Sequence, residues 1–339
     1  MDSVLLISTA ATVTTLVAGI IAAAAIAFTT CYMLTKKFKV TRVFADRLSE
    51  AKNPLIKRTK KNNKKAEATA GGDIDQSGNI SFSGNNGEFQ KYCRVGLISD
   101  LHFPMIAVNL ADVIYQLRKE DCDLIAVTGD LCQNEKGREK MLEFMTGLAD
   151  AIPDVPILVV LGNHDVTHVC GKNMDKLSKY ATAVEQCGRN IKVLRDETLR
   201  IDLKGSDSSV VVAGFEEFIA GNPEKRKNVF EKAVLEAGEN DKLLLLMHNP
   251  DIMEGLRDNI TSCGKYSVAL AGHTHGGQVY VPFNFEFRVL RDDRMPRKGF
   301  VYGLYEYCEN NRLYITCGLG QSFLPIRLGT TPEIAFICF

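Results

Sequence analysis

The chain has 339 residues, 45% of them hydrophobic, with 41 basic and 41 acidic side chains. That length holds one large domain with an appendage, or two small domains. Ten cysteines are scattered without a C-x-x-C pair, which excludes a small disulfide-stapled scaffold and reads as reduced thiols packed as small hydrophobes. The balanced charge conceals an asymmetry. Residues 36–65 carry 12 Lys/Arg against Asp46 and Glu50, leaving 29 basic and 39 acidic residues elsewhere. An acidic body disfavours nucleic acid as a partner.

The first element is an apolar stretch. Between Asp2 and Lys36 lie 33 uncharged residues rich in Ala, Val, Leu and Ile, more than the roughly 20 that span a bilayer as a helix. A cleaved signal peptide wants positive charge ahead of a shorter apolar core, and here only Asp2 precedes it. Residues 1–35 are expected to form an uncleaved, single-pass transmembrane anchor. Residues 36–65 read as a basic juxtamembrane segment. Lys36, Lys37, Lys39 and Arg42 follow the anchor directly, which places the remaining chain in the cytoplasm by the positive-inside rule. The same cluster suits either anionic headgroups or plain solvent. Residues 66–90 are rich in Gly, Ser, Asn and Asp and read as a flexible linker.

Residues 91–339 form the main domain, with an α/β pattern. Short runs rich in Val, Ile and Leu read as buried strands: Arg94–Ser99, Leu124–Thr128, Ile157–Leu161, Val210–Ala213, Leu243–Met247 and Ser267–Ala271. Later runs, Val301–Tyr305, Arg312–Cys317 and Glu333–Cys338, extend the series. Helices are expected around Ala107–Arg118, Glu139–Ala151, Met174–Gln186 and Glu224–Glu236.

The chemistry lies at the strand ends. The first strand runs into Asp100-Leu101-His102, the second into Gly129-Asp130, and the third into Gly162-Asn163-His164-Asp165. Leu243–Met247 delivers His248, and Ser267–Ala271 delivers Gly272-His273-Thr274-His275-Gly276-Gly277. In α/β sheets the carboxyl edge is where sites are built. Carboxylate, imidazole and amide oxygen together suit Mn²⁺, Fe²⁺ or Zn²⁺. Two cations about 3.5–4 Å apart need a shared anionic ligand, and Asp130, alone after its strand, fits that place. Five of the six histidines fall in these clusters, so separate structural reasons for all of them would have to coincide. His168, the sixth, reads as a structural histidine.

The ordered series Asp-x-His, Gly-Asp, Gly-Asn-His-Asp, His and Gly-His-x-His resembles the signature of calcineurin-like metallophosphoesterases, over roughly Arg94–Phe339. Gly276-Gly277-Gln278 resembles a narrower branch of predicted phosphohydrolases that often carry an N-terminal membrane segment. Leu324-Pro325-Ile326-Arg327 with Pro332-Glu333-Ile334 resembles it more weakly. Some relatives in that neighbourhood cleave the pyrophosphate of UDP-2,3-diacylglucosamine in lipid A synthesis. The resemblance implies a four-layer αββα sandwich and a metal-dependent hydrolase of phosphodiester or pyrophosphate bonds, lipid-linked ones among them. It further implies that Asp100, His102 and His275 hold one metal ion, that Asn163, His248 and His273 hold a second, and that Asp130 bridges them. By the same resemblance His164 is the catalytic residue, protonating the leaving oxygen or bonding a phosphoryl oxygen.

Several readings stay open at this level. Arg288, Arg291, Arg294 and Arg297 suit a phosphate-binding loop, or a solvated loop balanced by Asp292 and Asp293. Arg327 and Glu333 read as a pair within the fold. A metal-binding scaffold without turnover is the competing class, though every ligand type and His164 are present. Because all the ligand motifs lie beyond the linker, a chain beginning near Lys91 is expected to build the whole site.

Overall fold

The computed structural model describes residues 19–27, 29–30, 36–45, 73–74, 80–81, 92–204, 206–265, 267–279, 287, 291–308 and 311–339. Most of the expected anchor and linker, and Arg288, therefore lie outside the described residues. Residues 19–27 and 29–30 are helical; among the described residues no helix is long and apolar enough to cross a membrane.

Two six-stranded sheets face each other. The first contains β1 (Lys39–Phe44), β2 (Arg94–Ile98), β3 (Leu124–Thr128), β4 (Ile157–Val160), β5 (Ile191–Val193) and β12 (Glu333–Cys338), in the order β1-β12-β2-β3-β4-β5. The second contains β6 (Glu197–Asp202), β7 (Ser209–Gly214), β8 (Lys242–Leu246), β9 (Ser267–Ala271), β10 (Gly303–Glu306) and β11 (Asn311–Ile315), in the order β10-β11-β9-β8-β7-β6. Both sheets are mixed: β2 to β5 run parallel, as do β7, β8, β9 and β11, while β12 is antiparallel to β2.

The long apolar runs arise from burial on both faces. Val95, Leu97, Leu124, Ala126, Leu158 and Val160 meet Val210, Val212, Leu244, Leu246, Val268 and Leu270 between the sheets. The alternate residues, such as Ile98, Ile125 and Val159, face α1 (Leu110–Lys119), α2 (Arg138–Ala151) and α3 (Met174–Glu185). Val211, Leu245 and Ala269 face α4 (Pro223–Glu236) and α5 (Ile252–Cys263) on the far side. The layers are thus helix, sheet, sheet, helix, as expected. The expected strands are present, and α5, β5 and β6 are additions that no run of apolar residues announces.

One division of the chain needs correction. Lys39–Phe44 lies within the stretch read as a basic neck, yet it pairs in parallel with β12, from Lys39 opposite Glu333 to Phe44 opposite Cys338. Val43 and Ala45 are buried in the core between the sheets. The positive charges sit at the outer edge of the sheet, where lysine and arginine are ordinary edge residues. Lys39 Nζ lies 3.0 Å from Glu333 Oε1, Thr41 Oγ1 donates to the same oxygen at 2.6 Å, and Arg42 pairs with Glu120. The folded body therefore begins before Lys91. Glu333 and Arg327 do not pair with each other: Glu333 takes Lys39 and Thr41, and Arg327 donates to backbone carbonyls.

Candidate metal centre

Five of the expected ligands sit on backbone that few non-glycine residues adopt. Asp100, His102, Asp130, His273 and His275 have φ values of 52°, 49°, 51°, 73° and 53°. Left-handed backbone at each costs conformational energy, and such residues concentrate at functional sites. The turns are secured by main-chain bonds between adjacent strand ends: Asp100 N donates to Gly129 O at 2.9 Å, His102 N to Asp130 O at 2.9 Å, and Gly272 N to His248 O at 3.0 Å. Two glycines permit the approach. A Cβ on Gly162 would meet Asp130 Oδ1 at 2.1 Å, and one on Gly272 would meet Asp100 Oδ2 at 2.5 Å.

The side chains meet in two groups. In the first, one ligand atom each from Asp100, His102, Asp130 and His275 lies within 4.8 Å of the others. His102 Nε2 and His275 Nε2 are 3.0 Å apart. In the second, Asn163 Oδ1 lies 3.1 Å from His248 Nε2 and 2.9 Å from His273 Nδ1. Asp130 joins them: its Oδ2 is 3.3 Å from His102 Nε2 and 3.4 Å from His248 Nε2.

Which ring nitrogen faces the centre is set from behind. His248 Nδ1 bonds the carbonyl of Thr128 at 2.7 Å, so Nε2 points inward. His273 is turned the other way, its Nε2 held 2.9 Å from Asp293 Oδ1, which leaves Nδ1 inward. Carboxylates and carbonyls behind a ligating histidine fix its tautomer and orientation in this manner. Arg291 completes the group, with Nε 2.5 Å from Asp293 Oδ2. Asp165, the last residue of the third motif, is a buttress that motif reading does not single out. It accepts from the backbone N–H of Gly162, Leu131 and Cys132 and from the Tyr180 hydroxyl.

The electrostatics suit cations. Burial pushes His102 down to about 3 and His273 down to about 4, and holds His275 well below its ordinary range. These three rings offer lone pairs at neutral pH. Burial pushes Asp100 up to about 6, with the Asp130 charge adding to it. Burial opposes charge on His248 too, but Asp130, Asp100 and Glu217 around it raise it to about 10. Asp130 itself is held well below the usual carboxylate range: burial works against its charge, and His248 and His102 outweigh it. An anion placed between imidazoles is what a shared metal ligand requires.

His164 is buried beside the centre. Its backbone N–H donates to Asp130 Oδ1 at 2.8 Å, and its Nε2 lies 3.5 Å from Ser322 Oγ. His168, read from the sequence as structural, has its Nδ1 2.9 Å from Thr167 Oγ1. It is exposed, lines the same cavity, and stacks on His164 with ring centroids 4.4 Å apart. Of the arginine stretch, Arg291 reaches the cavity. Arg297 instead bonds the carbonyls of Phe287 and Arg291 and pairs with Asp292, and the backbone N–H of Arg294 donates to Asp251.

Residues 93–277, which carry all of these ligands, match the calcineurin-like phosphoesterase family. The chain belongs to that family. A hydrolase acting on phosphoester bonds is implied by the membership and by the buried Asp100, His102, Asp130 and His275 cluster. Among its relatives, this metallophosphoesterase is 26% identical to YkoQ of Bacillus subtilis over 70% of this chain and 80% of that protein. It is 27% identical to YkuE of the same organism, over 67% and 71%. It is 24% identical to a Bos taurus transmembrane protein with metallophosphoesterase domain, over 71% and 51%.

Proposed function

We propose that the protein is a membrane-anchored phosphodiesterase or pyrophosphatase that works with two divalent metal ions, and that lipid-linked phosphoesters are among its substrates. The observation that carries the two-ion reading is Asp130 Oδ2, placed about equally from His102 and His248. Asp100, His102 and His275 would hold one ion, Asn163, His248 and His273 the other, with Asp130 shared. The donor set of imidazole, carboxylate and amide oxygen suits manganese, iron or zinc. When bound, such ions supply a water acidified toward neutrality and Lewis-acid contacts to phosphoryl oxygens. His164 faces the same cavity without being a ligand, the place for a group that protonates a leaving oxygen. Convergence of all seven expected ligands disfavours a scaffold without turnover.

Two observations support the anchor: the described residues of 1–35 are helical with Ile20, Ile21 and Ile26 exposed, and the bovine relative is named for a transmembrane segment. The basic residues after it favour a cytoplasmic catalytic domain.

Elemental analysis of active, full-length protein is expected to give about two metal ions per chain. A value near one at full activity would refute the shared-ligand arrangement. The His164→Ala variant is expected to lose about 10²–10⁴-fold in kcat/KM on alkyl leaving groups and much less on p-nitrophenolate, which leaves without a proton. Equal losses on both would move His164 to phosphate binding.

A further inference from the structure

We propose that residues 322–324 form a preorganised apolar lip that binds the hydrocarbon part of the substrate beside the scissile phosphate, so that the enzyme selects amphiphilic phosphoesters. The inference rests on the hydrolase reading and deepens it.

The cavity over the metal centre has a volume of about 610 Å³. Asp130, Asn163 and His273 line it together with Val279, Phe323 and Leu324. Phe323 is 73% exposed and Leu324 54%, neighbouring apolar side chains that the protein core does not use. Phe323 also has φ 60°, a left-handed conformation that a bulky residue adopts at a cost. Its ring stands edge-on to His164 at 5.7 Å. An exposed aromatic held in this conformation beside the proposed acid presents apolar surface to the cavity over the metal centre.

The lip is held in place from both ends. Gln278 Nε2 donates to the carbonyls of Ser322, Leu324 and Ile326 at 3.0, 2.9 and 3.0 Å, and Gln278 Oε1 accepts from Ser322 N at 2.7 Å. The Gln278 carbonyl accepts from Leu328 N at 2.8 Å. Arg327, buried, donates to the carbonyls of His275, Gly318 and Gly320. Gln278 lies three residues past His275, the end of the ligand turn, so the lip and the metal centre are braced as one piece. The patterns Gly276-Gly277-Gln278 and Leu324-Pro325-Ile326-Arg327 thereby serve one structure. Rigid apolar surface that converges with a few polar groups is the usual composition of a ligand pocket. A bilayer is the competing partner for exposed Phe323 and Leu324. Their place in the wall of the same cavity as Asp130 favours the substrate.

The test compares p-nitrophenyl alkyl phosphates from methyl to butyl, all monomeric in water, with full-length protein and Mn²⁺. Wild-type kcat/KM is expected to rise by roughly fourfold for each methylene that reaches the lip. Phe323→Ser and Leu324→Ser are expected to flatten that rise to within about twofold overall, and Phe323→Leu to keep most of it. A wild-type rate indifferent to chain length would overturn the proposal and leave the hydrolase reading standing. So would a slope that survives Phe323→Ser, including the case where that variant instead loses binding to phosphatidylcholine–phosphatidylglycerol vesicles, which would assign the lip to the bilayer. No metal-dependent turnover of any ester in the series would overturn the phosphodiesterase reading, and the lip with it.

Discussion

Asp130→Asn is expected to lower metal-dependent hydrolysis by at least about 10²–10³-fold, the range for removing one group that stabilises charge at an active site, while the protein stays folded. The substitution is isosteric, and the Asn oxygen can still accept from His164 N, now 2.8 Å from Asp130 Oδ1. What changes is the atom between His102 and His248. A neutral amide cannot offset two adjacent cations, and an N–H turned toward two imidazole nitrogens 3.3 and 3.4 Å away would displace the ions outright. His248 would lose the partner that most raises its pKa. The measurement is kcat/KM together with metal content and a thermal melt. A melt like that of the wild type, with fewer than two ions and collapsed activity, is the expected set. Activity within about threefold of wild type would remove Asp130 from the shared position.

A chain beginning at Lys91 is expected to be markedly less stable than one beginning at Lys36, contrary to what motif positions alone suggest. Removing β1 strips β12 of its edge partner and exposes Val43's place in the core between the sheets. Glu333, 2% exposed, would keep its bonds from Thr316 Oγ1 and Cys317 N but lose Lys39 and Thr41. Leaving a buried carboxylate short of partners costs about 1–3 kcal/mol. With the lost apolar burial this implies a fall in Tm of roughly 5–10 °C for a body of this size. Activity should suffer too, because Glu333 N bonds Gly318 O at 3.0 Å and Gly318 packs against Asp100. Equal melting temperatures and metal-dependent rates for the two chains would show that β1 is dispensable.

The ligand set is legible in the sequence because each residue stands at the end of a strand buried on both faces, where a continuous apolar run breaks into Asp, His or Asn. The central strands are legible for the same reason. Edge strands are not. Lys39–Phe44 and Glu197–Asp202 mix charged, polar and apolar residues, and a charged edge strand in a row of lysines looks like a solvated neck. His168 does carry a signal: it lies four residues past His164, the spacing that stacks rings along a helical turn, and the segment Asp165–Val169 is helical. The roles of Gln278, Asp293 and Glu333 cannot be read locally. Gln278 bonds a loop 44 to 48 residues ahead, and Glu333 bonds a strand 292 residues behind.

Strand β1 also fixes a distance. A neck of residues 36–65 and a linker of 66–90 would let a catalytic body wander far from its point of attachment. With Lys39 already hydrogen-bonded to Pro332 and paired with Glu333, the tether proper is the stretch that separates Lys36 from Lys39, at most about 10 Å of extended chain. In the first sheet β1 and β2, the next strand of that sheet in sequence, stand two positions apart, with β12 between them. On the anchored chain proposed above, the enzyme would be leashed by its edge strand, with its catalytic body held against the membrane surface and not free to range away from it.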